Sequence, residues 1–143
     1  QLEKDVKEFA DKYSDNSICL TGHIEIKDLP KYYGIADIFI LPSLEEVWGY
    51  VVNEAMASGL PVIVSDVVGA ADEIVDDGKT GIIVPAGSAK AVADAIRMLI
   101  DDEKLRISMG LQSLKKIQSH TIKSQAQDYA YAIKKTKKGE WQI

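Results

Sequence analysis

Three short runs, Asp37-Ile38-Phe39-Ile40-Leu41-Pro42, Pro61-Val62-Ile63-Val64-Ser65 and Ile82-Ile83-Val84-Pro85, are apolar almost without interruption. A strand with one wet face alternates apolar and polar residues. A continuous run belongs to a strand covered on both faces, as in a parallel sheet. A fourth run, Ile18-Cys19-Leu20-Thr21, stops at Gly22 and reads as a further strand that buries the small Cys19. Helical patterns separate the runs. Leu2, Val6, Phe9 and Tyr13 share one face; residues 29–35 follow Asp28 as N-cap, with Pro30 in the first turn. Helices are also expected over 49–58, closed by Gly59, over 70–75, and over 88–100. The last has Ser88 as N-cap and Val92, Ala95, Ile96, Leu99 and Ile100 facing inward. Two more stretches follow, at 103–119 and 121–136. This order describes a doubly wound α/β layer, a parallel sheet with helices on both faces. Four strands are fewer than the roughly six of a complete dinucleotide-type sheet. The chain opens on a helix with no strand before it, and on Gln1 rather than Met, which fits either a piece of a longer polypeptide or a chain that never had the first strand.

Composition narrows the function. The 143 residues are 46% apolar and 27% charged, which is the make-up of a folded globular chain rather than a disordered one. One cysteine forms no internal disulfide, and with two histidines it builds no cysteine–histidine zinc cluster. No apolar run approaches the roughly 18 residues of a membrane span, and the first residues are too charged for a signal peptide. A soluble, cytoplasmic protein is the expectation. Residues 1–114 hold 10 Lys/Arg against 20 Asp/Glu, whereas residues 115–143 hold seven Lys against two acids. The acidic body argues against nucleic acid as a partner. The basic tail reads first as a solvated helix face and leaves open a peripheral contact with an anionic partner or the inner membrane surface.

Ligands of open parallel sheets bind outside the carboxyl ends of the strands. The richest loop there runs from Pro42 through Ser43, Leu44-Glu45-Glu46 and Val47-Trp48-Gly49-Tyr50 into a helix. A glycine at a helix start lets an anion such as a phosphate approach free N–H groups at the positive end of the dipole. A lone glycine there is better explained by a simple turn. Two acids add to it. Glu46 precedes the helix, and Glu54 sits among Val51, Val52, Ala55, Met56 and Ala57. A helix this apolar is expected to be largely buried, so Glu54 needs a partner, either a structural donor or a ligand hydroxyl. Glu45 reads as solvated, Glu73 as a residue of its own helix or a ligand contact from the loop after the run that ends at Ser65, and His120 as a cap or surface group. No G-x-G-x-x-G follows any strand, which argues against a dehydrogenase.

The stretch ADIFILPSLEEVWGYVVNEAMASGLPVIVSD, residues 36–66, resembles the signature of the family 4 glycosyltransferases: an acid, seven residues, a second acid, then Ala-Met-Ala, Gly and Pro-Val. Glu46 and Glu54 fit that spacing. Thr21-Gly22-His23, Pro42-Ser43, Gly69 with Glu73-Ile74-Val75, and Asp77-Gly78-Lys79-Thr80-Gly81 agree with the flanks, so the likeness runs from about residue 18 to 119. The resemblance implies a Rossmann-like fold: the incomplete carboxyl-terminal, donor-binding half of a two-domain enzyme of the GT-B type, with a helical tail at 120–143. The acceptor-binding amino-terminal domain would lie outside the chain. The implied reaction moves a sugar from a UDP-, GDP- or ADP-sugar to an acceptor hydroxyl, with retention and without a metal or other cofactor, in polysaccharide, glycan or glycolipid synthesis. Carried over, Glu46 is the catalytic-site acid on the sugar hydroxyls. The backbone at Trp48, Gly49 and Tyr50 meets the sugar and diphosphate, Ser43 is a further donor-binding residue, and Glu54 takes the ribose hydroxyls. The loop of Gly22 and His23 lies beside the base, His23 reading equally as an ordinary polar loop residue. The family's basic Arg and Lys pair falls before Gln1, and its usual Gly-Gly reads Gly69-Ala70 here. The alternative is a truncated, non-catalytic module that binds a nucleotide or a partner chain.

Overall fold

The computed structural model describes residues 2–12 and 18–137. The chain divides into two compact units, Gln1–Tyr32 and Tyr33–Ile143. The first contains helix α1 (Leu2–Asp11), an irregular segment from Ile18, and the first turn of α2 (Leu29–Ile35). Asp28 ends a turn and pairs with Lys31, its Oδ1 accepting from Nζ at 2.6 Å. The strand expected at 18–21 does not form. Among the described residues this unit has no other strand to satisfy its N–H and C=O groups, so the apolar run stays irregular. Ile18, Leu20 and Cys19 are exposed, which overturns the reading of Cys19 as a core residue. Tyr13 and the Ser14-Asp15-Asn16-Ser17 cluster lie outside the described residues, as does Trp141.

The second unit carries a three-stranded parallel sheet in the order β1-β2-β3, with β1 Phe39–Leu41, β2 Val62–Ser65 and β3 Gly81–Val84. Ile63 lies between Ile40 and Ile82 in register, so β2 is paired on both sides and is buried at every position. Helices α3 (Tyr50–Ala57) and α4 (Gly69–Ile74) make the crossovers. Helices α5 (Ala89–Asp101), α6 (Glu103–Ile117) and α7 (Ile122–Lys137) follow the sheet.

Because strand side chains alternate between faces, the unbroken apolar runs feed two cores. Val62 and Val64 join Val52, Ala55 and Met56 of α3, Ala70, Ala71 and Ile74 of α4, and Ile117 of α6 on one face, with Phe39, Leu41 and Trp48 packed alongside. Ile63 and Val84 join Ala95 and Leu99 of α5 and Met109 of α6 on the other, with Ile38, Ile40 and Ile82 against them. This is the Rossmann-like layering, with helices on both faces. The cap of α5 is the expected one: Ser88 Oγ accepts from the Ala91 amide at 3.2 Å. Its inner face is narrower than expected, because Ile100 is 62% exposed at the edge of the Val92–Ala95–Ile96–Leu99 stripe.

Candidate functional site

The loop between β1 and α3 is held from below by backbone and small residues. Ser65, buried at the end of β2, donates its hydroxyl to the Ser43 carbonyl at 2.6 Å and ties the exit of β1 to its neighbour. Further along, the Gly69 amide donates to the Glu46 carbonyl at 3.3 Å and the Ala70 amide to the Trp48 carbonyl at 2.9 Å. Glu46 and Val68 thereby form a short parallel bridge. That approach needs a glycine: a Cβ on Gly69 would stand 2.2 Å from the Val47 carbonyl oxygen. A separate tie joins the end of β2 to the turn after β3: Asp66 Oδ1 accepts from the Ala86 amide at 2.9 Å.

Gly49 then turns the chain into α3. It is the N-cap residue, with φ 86° and ψ 60°, and no side chain caps the helix. A left-handed backbone favours glycine, and space demands it as well, since a Cβ would meet Val68 at 3.0 Å and Leu41 at 3.2 Å. The Val52 amide turns back to the Gly49 carbonyl at 2.9 Å, the amides of Tyr50 and Val51 precede the first i to i−4 bond of α3, and the positive end of the dipole is there. Glu46 curls toward this end: its Oε1 accepts from the Trp48 amide at 3.3 Å. Trp48 is half-buried on the core, its Nε1 donates to Asn53 Oδ1 at 3.3 Å, and its ring stands 6.2 Å from that of the exposed Tyr50.

Ser43, Glu46, Trp48, Gly49 and Tyr50 are therefore brought together on one loop. Glu54 stands one turn further along, and its environment differs from the expected burial. Val52, Ala55 and Met56 face the core, whereas Tyr50, Glu54 and Ala57 form the exposed stripe of α3. The abundance of apolar residues in this helix misleads because alanines and a tyrosine tolerate solvent. Glu54 does have a structural donor, the Tyr33 hydroxyl, 2.9 Å from its Oε2. Burial, then the hydrogen bond to Glu54 and its charge, push the Tyr33 phenol up to about 12. Gly22 and His23 are exposed and belong to the first unit. Glu45 is exposed, as read from the sequence, and Glu73 lies exposed on α4. His120 closes α6, its Nδ1 3.2 Å from the Lys116 carbonyl oxygen.

Sequence reasoning missed Ser65, Asp66 and Tyr33. Ser65 and Asp66 had a signal, polar residues at the exit of an otherwise apolar strand. Tyr33 had none, because its partner is 21 positions away. A cavity of about 460 Å³ opens at the carboxyl ends of β2 and β3 on the α5 side, lined by Pro42, Ser65, Val84, Pro85, Ser88 and Val92 among others. None of the sequence-predicted site residues lines it.

A parallel α/β layer with a glycine-started helix beside an acidic loop at the strand ends defines the Rossmann-like class of ligand-binding folds. The sequence model for glycosyl transferases group 1 matches residues 1–116, and the chain belongs to that family. It is 38% identical over 103 residues to the capsular polysaccharide biosynthesis glycosyltransferase CapM of Staphylococcus aureus, covering 72% of this chain and 26% of that protein. It is 45% identical over 84 residues to the D-inositol 3-phosphate glycosyltransferase of Corynebacterium aurimucosum, covering 59% of this chain and 20% of that protein. The chain thus spans about a quarter or less of the curated relatives it matches. Among solved structures, the C-terminal domain of a glycosyl transferase group 1 family protein (LpcC) from Francisella tularensis superposes with a TM-score of 0.77 at 30% identity, covering 85% of this chain and 63% of that one. The sucrose-phosphate synthase of Thermosynechococcus elongatus gives 0.73 at 31% identity, covering 81% of this chain and 29% of that one. Among the described residues, no helix is long and apolar enough to cross a membrane.

Proposed function

We propose that residues 1–119 are part of a nucleotide-sugar-binding domain, with 120–143 as a helical tail, in a glycosyltransferase that moves a sugar from a nucleotide-diphosphate sugar to an acceptor hydroxyl. The observation that carries this reading is the uncapped start of α3. Gly49, at φ 86°, opens it beside Glu46, and the loop is fastened so closely to Gly69 and Ala70 that its amides are pre-aimed. Fixed N–H donors and a helix dipole are what a leaving diphosphate needs, and they require no reorganisation as its charge develops. Glu46 would hold hydroxyls of the transferred sugar with the carboxylate oxygen not engaged at Trp48, while Ser43, Trp48 and Tyr50 border the sugar and diphosphate. Glu54 would accept from the ribose hydroxyls.

Retention of configuration, independence of metals and an acceptor domain supplied by further polypeptide belong to the same proposal. The remaining phosphate charge would be met by the Arg and Lys pair that the family resemblance places upstream. The naming of one relative for capsular polysaccharide biosynthesis supports a role in polysaccharide or glycolipid assembly on the cytoplasmic side of a membrane, where the Lys-rich tail could meet anionic headgroups. The test is calorimetric titration of the protein as its gene encodes it with UDP, GDP and ADP. One of the three should bind, and Glu54→Ala should weaken that binding by about 1–3 kcal/mol, the cost of leaving ligand hydroxyls without their acceptor. Binding unaltered by Glu54→Ala would remove that residue from the site; failure of all three nucleotides to bind would remove the function.

A further inference from the structure

Glu54 is exposed on α3, and an exposed glutamate ordinarily samples many rotamers. Here one group restrains it. The Tyr33 hydroxyl donates to Oε2 at 2.9 Å. Tyr33 is itself fixed: it is half-buried against the α3-side core, and its ring meets Phe39 of β1 edge-on, with centroids 6.0 Å apart and planes at 60°. The donor, near the end of α2, is therefore anchored by packing against β1 while the acceptor stands on α3, and the bond spans the two within the second unit. With the phenol pushed up to about 12, the hydroxyl keeps its proton throughout the neutral range.

We propose that Tyr33 is a positioning residue of the donor site: its hydroxyl sets the Glu54 carboxylate in the orientation that accepts the ribose hydroxyls of the nucleotide. The inference rests on the assignment of Glu54 to the ribose. A carboxylate offers about four lone-pair positions. Tyr33 occupies one on Oε2, which leaves Oε1 whole and a second position on Oε2 for a vicinal diol. A carboxylate already held in place loses less rotamer freedom when the ligand arrives, so the bond acts on affinity without touching the ligand.

Tyr33→Phe isolates this role because the ring keeps its packing on Phe39 and only the hydroxyl is lost. The measurement is the affinity of the protein as its gene encodes it for UDP, GDP or ADP, whichever binds, and for the matching 2′-deoxynucleotide. Tyr33→Phe should weaken the ribonucleotide by about two- to tenfold, the range of one net hydrogen bond, and lower the ribo-to-deoxy ratio, with the thermal midpoint little changed. In donor turnover the loss should fall on KM rather than kcat. Glu54→Ala, measured alongside, should bring the ribo-to-deoxy ratio close to one. If Glu54→Ala collapses the ratio while Tyr33→Phe leaves it at the wild-type value, the positioning role is wrong and the ribose assignment stands. If Glu54→Ala leaves the ratio intact, the assignment fails and the inference falls with it.

Discussion

At the scale of single residues, the candidate site depends on two glycines for different reasons. Gly49 supplies a left-handed turn in a space already closed by Val68 and Leu41. Gly69 permits a backbone approach that any Cβ would block at the Val47 carbonyl. Gly69→Ala should therefore push the 43–50 loop away from α4, with a loss of about 1–3 kcal/mol in denaturant unfolding and weaker nucleotide binding. A variant with wild-type stability and affinity would show that the loop is held elsewhere. The glycine at 49 was legible in the sequence because it opens a helix next to a pair of acids. The demand on Gly69 was not, since it comes from Val47, 22 positions away. Glu54 carries the same lesson. Its type and spacing marked it as a site residue, but neighbouring apolar residues suggested burial, whereas only the helical phase, with Tyr50 and Ala57 on the same stripe, places it in solvent.

Elements succeed or fail by what they find to pair with. The three inner runs became strands because each has a parallel neighbour and two helical layers to bury its alternate side chains, which is why their unbroken apolarity could be read directly. The run at 18–21 is also mostly apolar, and among the described residues of its own unit no strand lies beside it. Caps were legible because they are local. Ser88→Ala should cost about 1 kcal/mol at the start of α5, measured as a shift of the urea midpoint at constant slope. The ties between α6 and the turn before β3 were not legible. Ser113, fully buried, donates to the Thr80 carbonyl, and Thr80 Oγ1 accepts from the Asp76 amide at 2.8 Å. Lys116 binds the Asp76 carboxylate across 40 positions of sequence. That hydrogen bond, with Lys79 and His120 adding to it against some desolvation, holds the Asp76 carboxyl below its usual 3.8. A depressed folded value means the contribution is present above about 3.8 and is lost as the pH falls through the folded value. The difference in melting temperature between wild type and Asp76→Asn should be present at about pH 5 and shrink below about 4. A difference that persists undiminished at the acid end would mean the pair contributes nothing through ionisation.

On the scale of the whole molecule, the doubly wound layering and the family were readable from residues 36–66 together with their flanks. In the fold, Ser43, Glu46, Trp48, Gly49 and Tyr50 lie along the turn from β1 into α3 at the carboxyl end of the sheet. Periodicity assigns each residue to an element but carries no information on what reaches across between elements, so Tyr33, Ser65 and Asp66 emerged only with the fold. The central claim is that the start of α3 receives the diphosphate of a nucleotide sugar. The amide spectrum of the isotope-labelled protein as its gene encodes it, titrated with UDP, GDP and ADP and with the matching nucleosides, tests it most directly. The account predicts that one diphosphate produces its largest shifts at the amides of Trp48, Gly49, Tyr50 and Val51, and that the nucleoside lacking phosphates leaves those amides in place. Shifts confined to other parts of the sheet, or none with any of the three, would contradict it.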